Sequence, residues 1–279
     1  MKHSPFFLTG APKSGTTWLG KLLDAHPQIS CRGEACMHHF GLQLVQAGKN
    51  YNELLDRRRR VVTDANDFPS MQWADMMTLM RTFMELRFLS IADPAKSALK
   101  FLGEKDPEHA LHLGTLNKLF PEAKVLHIIR DGRGVFISAW HHNVRTKEEN
   151  IGSLGFDGFL DLTAKEWADR VRRARAASGE LGDRYFEVRY EDLVAAPATW
   201  MDRVLMFLGA TAEATAVSAC IEAASFEKLS QGRKTGEENK ASFFRKGDPD
   251  DWRAQLTPAQ VARFKDLSGG LSEELGYSA

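Results

Sequence analysis

Apolar and polar positions change period several times along the chain, and these changes predict the order of its elements. Short apolar runs, typical of strands buried on both faces of a parallel sheet, lie at 6–8, 98–103, 124–129 and 185–188, while 25–33 is either a short strand or a loop. Helical spacing predicts a helix from 16, helices over 42–62, 71–91, 107–119, 132–142, 160–178 and 257–267, and others between 193 and 224. This alternation predicts an α/β fold: a single three-layer domain over 1–279, with a central parallel sheet and a P-loop-like strand–loop–helix at its N-terminus.

The N-terminal segment 5–25 has a turn rich in Gly, Pro and Ser between its strand and its helix. Amide groups at a helix start lack intrahelical partners and attract anions. Lys13 adds a positive charge, and Thr16 and Thr17 add hydroxyl donors. The nucleotide P-loop has its Lys directly after the last Gly and before a Ser or Thr, whereas Lys13 here precedes Gly15. The segment therefore predicts an anion site of a different kind.

The residue order in this turn is similar to that of a known family. The run Pro-Lys-Ser-Gly-Thr-Thr-Trp at 12–18 resembles the sulfotransferase loop that cradles the 5′-sulfophosphate of PAPS (3′-phosphoadenosine 5′-phosphosulfate). The resemblance implies that the donor is bound by Lys13, Ser14, Gly15, Thr16, Thr17 and Trp18. It also implies that no metal is needed, since the chain lacks the Gly-Lys-Ser/Thr triplet whose hydroxyl holds magnesium in nucleotide P-loops.

Arg130 follows the strand at 124–129, at the edge where open α/β sheets bind ligands. A desolvated guanidinium requires an anion, either a phosphate that matches its planar fork or a carboxylate of the fold. Ser138, in the helix that follows, is placed to reach the same ligand. The run 129–138 resembles the sulfotransferase motif whose Arg and Ser hold the 3′-phosphate, which implies that role for Arg130 and Ser138.

A third matching segment lies at 245–253. It resembles the sulfotransferase sequence Arg-Lys-Gly…Gly-Asp-Trp-Lys, whose first three residues close over the 3′-phosphate. The resemblance assigns this role to Arg245, Lys246 and Gly247. Asp250 stands where the family usually has a Gly, so the turn is expected to differ there.

Two aromatic residues extend the resemblance to the nucleoside. Tyr190 lies in a Tyr-Glu-Asp-Leu segment, and Phe226 matches a Phe that packs on adenine in cytosolic members. The matches keep the family's order from residue 5 to about residue 265. They imply an enzyme that moves the sulfuryl group of PAPS to a hydroxyl or amine and releases PAP (adenosine 3′,5′-bisphosphate).

The sequence offers two candidates for the catalytic base. Cytosolic members use a His two residues after a strand-end Lys, but His109 comes four residues after Lys105. The segment 23–34 instead resembles the protein-tyrosine and heparan-type enzymes, which use a Glu at this place. The resemblance therefore implies Glu34, Lys13 and Lys105 as catalytic residues, with His109 as the alternative base.

Composition limits the partners. The 37 basic and 37 acidic side chains cancel, so nothing in the net charge attracts nucleic acid or an anionic membrane. No apolar run approaches the ~18 residues of a membrane span, and no signal-peptide core is evident. The three Cys lack a Cys-x-x-Cys pair, and Cys36 with its neighbouring His residues lacks a second ligand pair, so no metal site is expected. We expect a cytoplasmic protein whose acceptor is a small molecule or a glycan.

Two other functions fit parts of the pattern. In a P-loop kinase-like phosphotransferase, Asp131 at a strand end would hold magnesium. A non-catalytic protein could bind PAP without turnover. The acceptor pocket is expected in the loops 35–75, 141–160 and 231–243, whose residues name neither an acceptor nor an oligomeric state.

Overall fold

The computed structural model of the chain describes residues 2–61 and 68–277. Its sheet is parallel and has the strand order β2-β3-β1-β4-β5. The strands are β1 (Ser4–Thr9), β2 (Ile29–Gly33), β3 (Phe101–Lys105), β4 (Lys124–Ile129) and β5 (Tyr185–Arg189). The predicted parallel sheet is therefore confirmed, and 29–33 of the segment left open as strand or loop forms a strand at one edge.

Helices connect the strands and cover the sheet. They are α1 (Thr16–Asp24), α2 (Met37–Val61), α3 (Trp73–Ser90), α4 (Leu113–Leu119), α5 (Gly132–Thr146), α6 (Glu149–Ala176), α7 (Ser178–Leu181), α8 (Tyr190–Ala195), α9 (Pro197–Leu208), α10 (Ala214–Ala223), α11 (Phe226–Leu229), α12 (Pro258–Leu267) and α13 (Leu271–Glu274). Short 3₁₀ turns lie at Pro107–Leu111, Gly182–Arg184 and Asp251–Ala254. None of the described helices is both long and apolar enough to cross a bilayer.

Alternate residues of β1 pack on opposite faces of the sheet, as the period of a strand requires. Phe6 and Leu8 belong to one buried cluster with side chains of α1, α9 and α10, whereas Phe7 belongs to another with side chains of α3 and α4. A further cluster around Trp167 joins α5, α6 and α12. Each such buried side chain contributes roughly 1.5–3 kcal/mol. Helices on both faces make the three layers, so the α/β prediction is confirmed.

The largest error in the predicted strands concerns β3. The apolar pattern predicts 98–103, but the strand runs from Phe101 to Lys105 and includes two charged residues that are buried. Its register pairs Lys105 with Leu8 of β1 and with Gly33 of β2. Hydrophobicity cannot reveal this end of the strand, because the partners that stabilise Glu104 and Lys105 include the Ala35 amide and the Glu34 carboxylate, which are distant in sequence.

Several helix ends also differ from the prediction. α2 begins at Met37 and α6 at Glu149, both earlier than predicted, and the predicted helix end at Val62 lies outside the described residues. The segment 107–119 is a 3₁₀ turn followed by α4, because His112 between them leaves helical geometry. Despite these differences from the prediction, the carboxyl ends of all five parallel strands lie at one edge of the sheet, where the loops that follow them meet.

Candidate active site

A cleft of about 810 Å³ opens at the carboxyl edge of the sheet. Loops that follow each of the five strands contribute to its wall. The predicted site residues on this wall are Lys13, Gly15, Thr16, Thr17, Trp18, Glu34, Arg130, Ser138, Tyr190, Phe226, Arg245, Lys246 and Gly247. Segments separated by more than two hundred residues in sequence therefore meet in one place.

The loop after β1 delivers the start of α1 to the cleft. Gly15 has a φ of 99°, and a Cβ there would lie 2.6 Å from Cδ2 of Tyr190, so only Gly fits. No described side chain caps α1, and its first turn contains no acidic residue. The amide groups of Thr16 and Thr17 therefore have no intrahelical partner and can bind an anion.

Lys13 occupies the same loop in the left-handed region, with a φ of 71°. Its Nζ lies 4.7 Å from the ring centroid of Phe243. Burial lowers the pKa of Lys13 to about 8, the nearby charge of Arg145 acts in the same direction, and Glu34 partly opposes them. A bound anion would raise the pKa of Lys13 again, against the effects of burial and of Arg145. Lys13 should therefore be fully protonated when the anion is bound.

Arg130 is buried at the back of the cleft. Its Nη1 donates to the Lys13 carbonyl over 3.2 Å, and its guanidinium lies 4.5 Å from the ring centroid of Tyr190. Its Nε is buried without a partner, and among the described residues no carboxylate forms an ion pair with it. Of the two anions that the sequence left open, a carboxylate of the fold is thus not what pairs with Arg130.

Aromatic side chains line the cleft beside Arg130. Trp18 donates its indole N–H to the Ala224 carbonyl over 2.9 Å and meets Tyr190 edge to face at 5.7 Å. Phe226 lies against Gly247, where a Cβ would come within 2.6 Å of its ring. The rings of Trp18, Tyr190 and Phe226 are thus positioned by the fold and offer a surface on which a planar base can pack.

Glu34 enters the cleft from the loop after β2. Lys105 donates to its Oε1, and the Glu34 amide donates to the Lys105 carbonyl over 2.8 Å. Its φ of 55° is unusual for a residue other than Gly and costs of order 1–3 kcal/mol. Its side chain remains 54% exposed. Lys105 is buried behind it and is not part of the cleft wall.

Arg245 and Lys246 reach the wall already paired with carboxylates. Arg245 donates to Glu238 and Asp251, and Lys246 contacts Asp251 and Asp248. Burial favours the protonated form of Asp251, but hydrogen bonds from Lys246 and Arg245 outweigh it and hold the pKa of that carboxyl below its ordinary value. Both cations are therefore oriented before any ligand binds.

A protein-family comparison decides which family this arrangement belongs to. The profile of the sulfotransferase family matches residues 5–214, most of the chain. The chain belongs to the sulfotransferase family.

Its relatives differ in their acceptors. Protein-tyrosine sulfotransferase 1 of Danio rerio is 29% identical over 203 residues, which cover 72% of this chain and 52% of that protein. Omega-hydroxy-beta-dihydromenaquinone-9 sulfotransferase Stf3 of Mycobacterium bovis is 33% identical over 108 residues, which cover 38% of this chain and 28% of that protein. This sulfotransferase chain thus spans about half the length of the first relative and less of the second.

A solved structure shares the fold over nearly the whole chain. The crystal structure of mouse sulfotransferase SULT7A1 complexed with PAP superposes with a TM-score of 0.60 at 17% identity, covering 99% of this chain and 84% of that one. At this identity the likeness concerns the fold alone. It supports the same three-layer arrangement around the parallel sheet.

Asp131 of this sulfotransferase pairs with an arginine outside the cleft. Its carboxylate accepts from Nε and Nη2 of Arg133 over 3.0 and 2.7 Å, and Arg133 lies 3.7 Å from the ring of Trp252. Asp131 is buried and is not part of the cleft wall. The kinase interpretation requires this carboxylate to face a nucleotide, and the structure does not place it there.

Within 2–61 and 68–277, no three His, Cys, Asp or Glu side chains converge as a metal site.

Besides Lys105, two of the predicted residues do not reach the cleft wall. His109 is buried below it, with Nε2 2.7 Å from Glu104 Oε2 and its ring 5.1 Å from that of Phe7. Ser14 is fully buried, and its amide donates to the Ala11 carbonyl over 3.0 Å. The alternative base and one predicted donor ligand thus lie behind the surface that a ligand would touch.

The sequence pattern predicts a loop over 141–160 and names none of its residues as a site residue, but 141–146 belongs to α5. His141, His142 and Arg145 line the wall beside Ser138. Their spacing of three, four and seven residues from Ser138 is that of one helix face, so the helical period contains the signal. Arg145 also donates to His142 Nδ1 over 2.9 Å. Of the three residues, Arg145 adds a positive charge whose field reaches Lys13.

Proposed function

We propose that this chain transfers the sulfuryl group of PAPS to a hydroxyl or amine acceptor and releases PAP. The observation that carries the proposal is the pairing of two anion-seeking groups in one cleft. Lys13 lies at the start of α1, and the unpaired Arg130 is hydrogen-bonded to the carbonyl of that same residue. Two separate anionic groups on one nucleotide, a 5′-sulfophosphate and a 3′-phosphate, match this pair of sites.

Each group of the cleft then has a task in the proposed reaction. Trp18, Tyr190 and Phe226 surround the adenine, and the 3′-phosphate is held by Arg130, Ser138, Arg245, Lys246 and Gly247. Lys13 and the amides and hydroxyls of Thr16 and Thr17 stabilise the charge that develops on the leaving 5′-phosphate. Glu34 accepts the proton of the acceptor, and Lys105 positions the Glu34 carboxylate. Ser14 supports the turn from inside.

The acceptor is proposed as a small molecule or a glycan that presents a hydroxyl or an amine. The names of the two relatives given above specify hydroxyl chemistry, a protein tyrosine in one and an omega-hydroxy menaquinone in the other. Those names support a hydroxyl acceptor and add a protein side chain to the candidates. We also propose that the enzyme is located in the cytoplasm.

A paired measurement tests the function. Calorimetry measures binding of PAP and ATP, and labelled PAPS is offered with phenols, alcohols, amines, glycans and tyrosine peptides, with and without EDTA. Tight PAP binding and EDTA-resistant transfer support the proposal. PAP binding without transfer to any acceptor supports the non-catalytic alternative. Preference for ATP with magnesium-dependent transfer supports a phosphotransferase.

Arg130→Ala is expected to weaken PAP binding by roughly 1.5–3 kcal/mol, because an unpaired buried guanidinium donates charge-assisted hydrogen bonds to phosphate. Binding of 5′-AMP, which lacks the 3′-phosphate, should change little. Arg253→Ala is the control, since Arg253 is exposed, pairs with Asp250 and lies off the cleft wall. Equal losses for PAP and 5′-AMP in Arg130→Ala would contradict the assignment.

The pH dependence of donor use should report on Lys13, whose pKa is about 8. The protonated lysine binds the anion, so kcat/KM for PAPS should be level below pH 8 and fall as pH rises through about 8. The fall in kcat should lie at higher pH, because the bound anion restores the lysine's proton affinity. Lys13→Arg, which stays protonated, should lack the fall in kcat/KM. A wild-type profile that is flat to pH 10 would count against this role.

A further inference from the structure

Asp251 lies between the two cations assigned to the 3′-phosphate. Its Oδ1 accepts from Lys246, and its Oδ2 accepts from Arg245 and from the side chain of Gln255. Gln255 Oε1 lies 2.8 Å from Nε2 of His141, which lines the cleft. One carboxylate thus connects the two cations to a fixed network that begins at the cleft wall.

The carboxylates around these cations differ in exposure. Asp251 is 6% exposed, whereas Glu238 is 36% and Asp248 33% exposed. An exposed carboxylate regains water when it leaves an ion pair, but a buried one has nothing to replace its partners. Asp251 can therefore remain in place when an anion arrives, while Glu238 can be displaced from Arg245.

Resting on the proposed function, we infer that Asp251 is a positioning residue for 3′-phosphate recognition, and that Glu238 holds the phosphate's place on Arg245 until the nucleotide binds. Asp251 uses its two oxygens on different cations, which sets the distance between the Arg245 guanidinium and the Lys246 ammonium. Glu238 accepts from Nη1, the other end of the same guanidinium. The phosphate would take the position of Glu238 and leave Asp251 in contact with both cations.

The charges favour these different roles for Asp251 and Glu238. Arg245 and Lys246 carry two positive charges, and Asp251 neutralises one of them while keeping both side chains close together. Without that carboxylate the cations repel each other, and the buried side of Arg245 loses its partner. Arg245 would then turn toward Glu238, away from the geometry that a phosphate requires. Loss of Glu238, in contrast, removes a competing anion.

The test compares PAP with 5′-AMP by calorimetry in the full chain. Asp251→Asn should weaken PAP binding by about 10- to 100-fold, the effect of a lost charge-assisted network, and leave 5′-AMP binding within about twofold. Glu238→Gln should tighten PAP binding by about two- to fivefold, the effect of one exposed ion pair. Asp250→Asn is the matched control, because Asp250 is adjacent, exposed and paired only with Arg253 among the described residues.

Each outcome decides the inference. An unchanged PAP to 5′-AMP ratio in Asp251→Asn overturns it, and so does a loss in Glu238→Gln as large as that in Asp251→Asn. If Asp251→Asn does not fold, Gln255→Leu replaces it, since it keeps the carboxylate but removes its anchor; an unchanged ratio there also overturns the inference. Wild-type protein that fails to bind PAP would instead refute the proposed function.

Discussion

Glu34→Gln is expected to lower the turnover number by roughly 10²–10⁴-fold, the usual effect of losing a general base. Gln keeps the shape of the side chain and can still accept from Lys105, but it cannot take the proton of the acceptor. PAP affinity should remain near that of the wild type, because the ion pair that the Glu34 carboxylate forms within the described residues is with Lys105 and not with a group assigned to the nucleotide. Single-turnover transfer from labelled PAPS, measured together with PAP binding, gives both quantities.

The contrast with His109 makes this prediction specific. His109 is buried against Glu104 and Phe7, so His109→Gln should lower the melting temperature while transfer per folded molecule changes little. Glu34 is half exposed, and its replacement should leave the melting temperature nearly unchanged. Full activity in Glu34→Gln together with an inactive but folded His109→Gln would show that the histidine is the base.

Lys13→Met is expected to reduce kcat by about 10²–10³-fold, comparable to the loss of one preorganised donor at a developing anion. The charge on the leaving 5′-phosphate grows in the transition state, and Lys13 is the cationic side chain within the loop that cradles it. Met preserves much of the apolar stem, so its contact with Phe243 is retained. Steady-state kinetics with saturating PAPS measure the effect.

A second lysine on the same strand–loop–helix serves as the control. Lys21 lies on α1, is exposed and is remote from the cleft wall, so Lys21→Met should keep kcat within a few-fold. If Lys13→Met raised KM for PAPS without lowering kcat, Lys13 would stabilise the bound donor and the transition state equally. That result would move the catalytic role to the amides of α1.

Local patterns were sufficient for much of the fold and for part of the site. The short apolar run of β1, the Gly-rich turn and the helical period of α1 predict the strand–loop–helix that the structure contains. The period of β4 similarly predicts that Arg130 emerges at a strand end. These features depend on the conformations of neighbouring residues, and so they can be read from a few consecutive positions.

Charged residues inside the fold were harder to assign. Glu104 and Lys105 lie outside the strand that the apolar pattern predicts, yet the register of β3 includes and buries both. That register places Lys105 against Gly33 and hence next to Glu34, and it directs Glu104 toward His109. Which of the two possible bases faces the cleft is therefore a consequence of strand pairing.

By itself the sequence determined the α/β class, the anion-binding loop and three segments that resemble phosphate-binding motifs. Only the tertiary structure decided that Arg130 lacks a carboxylate partner among the described residues, whereas Arg133 has Asp131 and Arg245 has Asp251. The physical reason is that an ion pair depends on burial and on partners brought together by packing. Three arginines that look alike in the sequence thus differ in how the fold has paired them before an anion arrives.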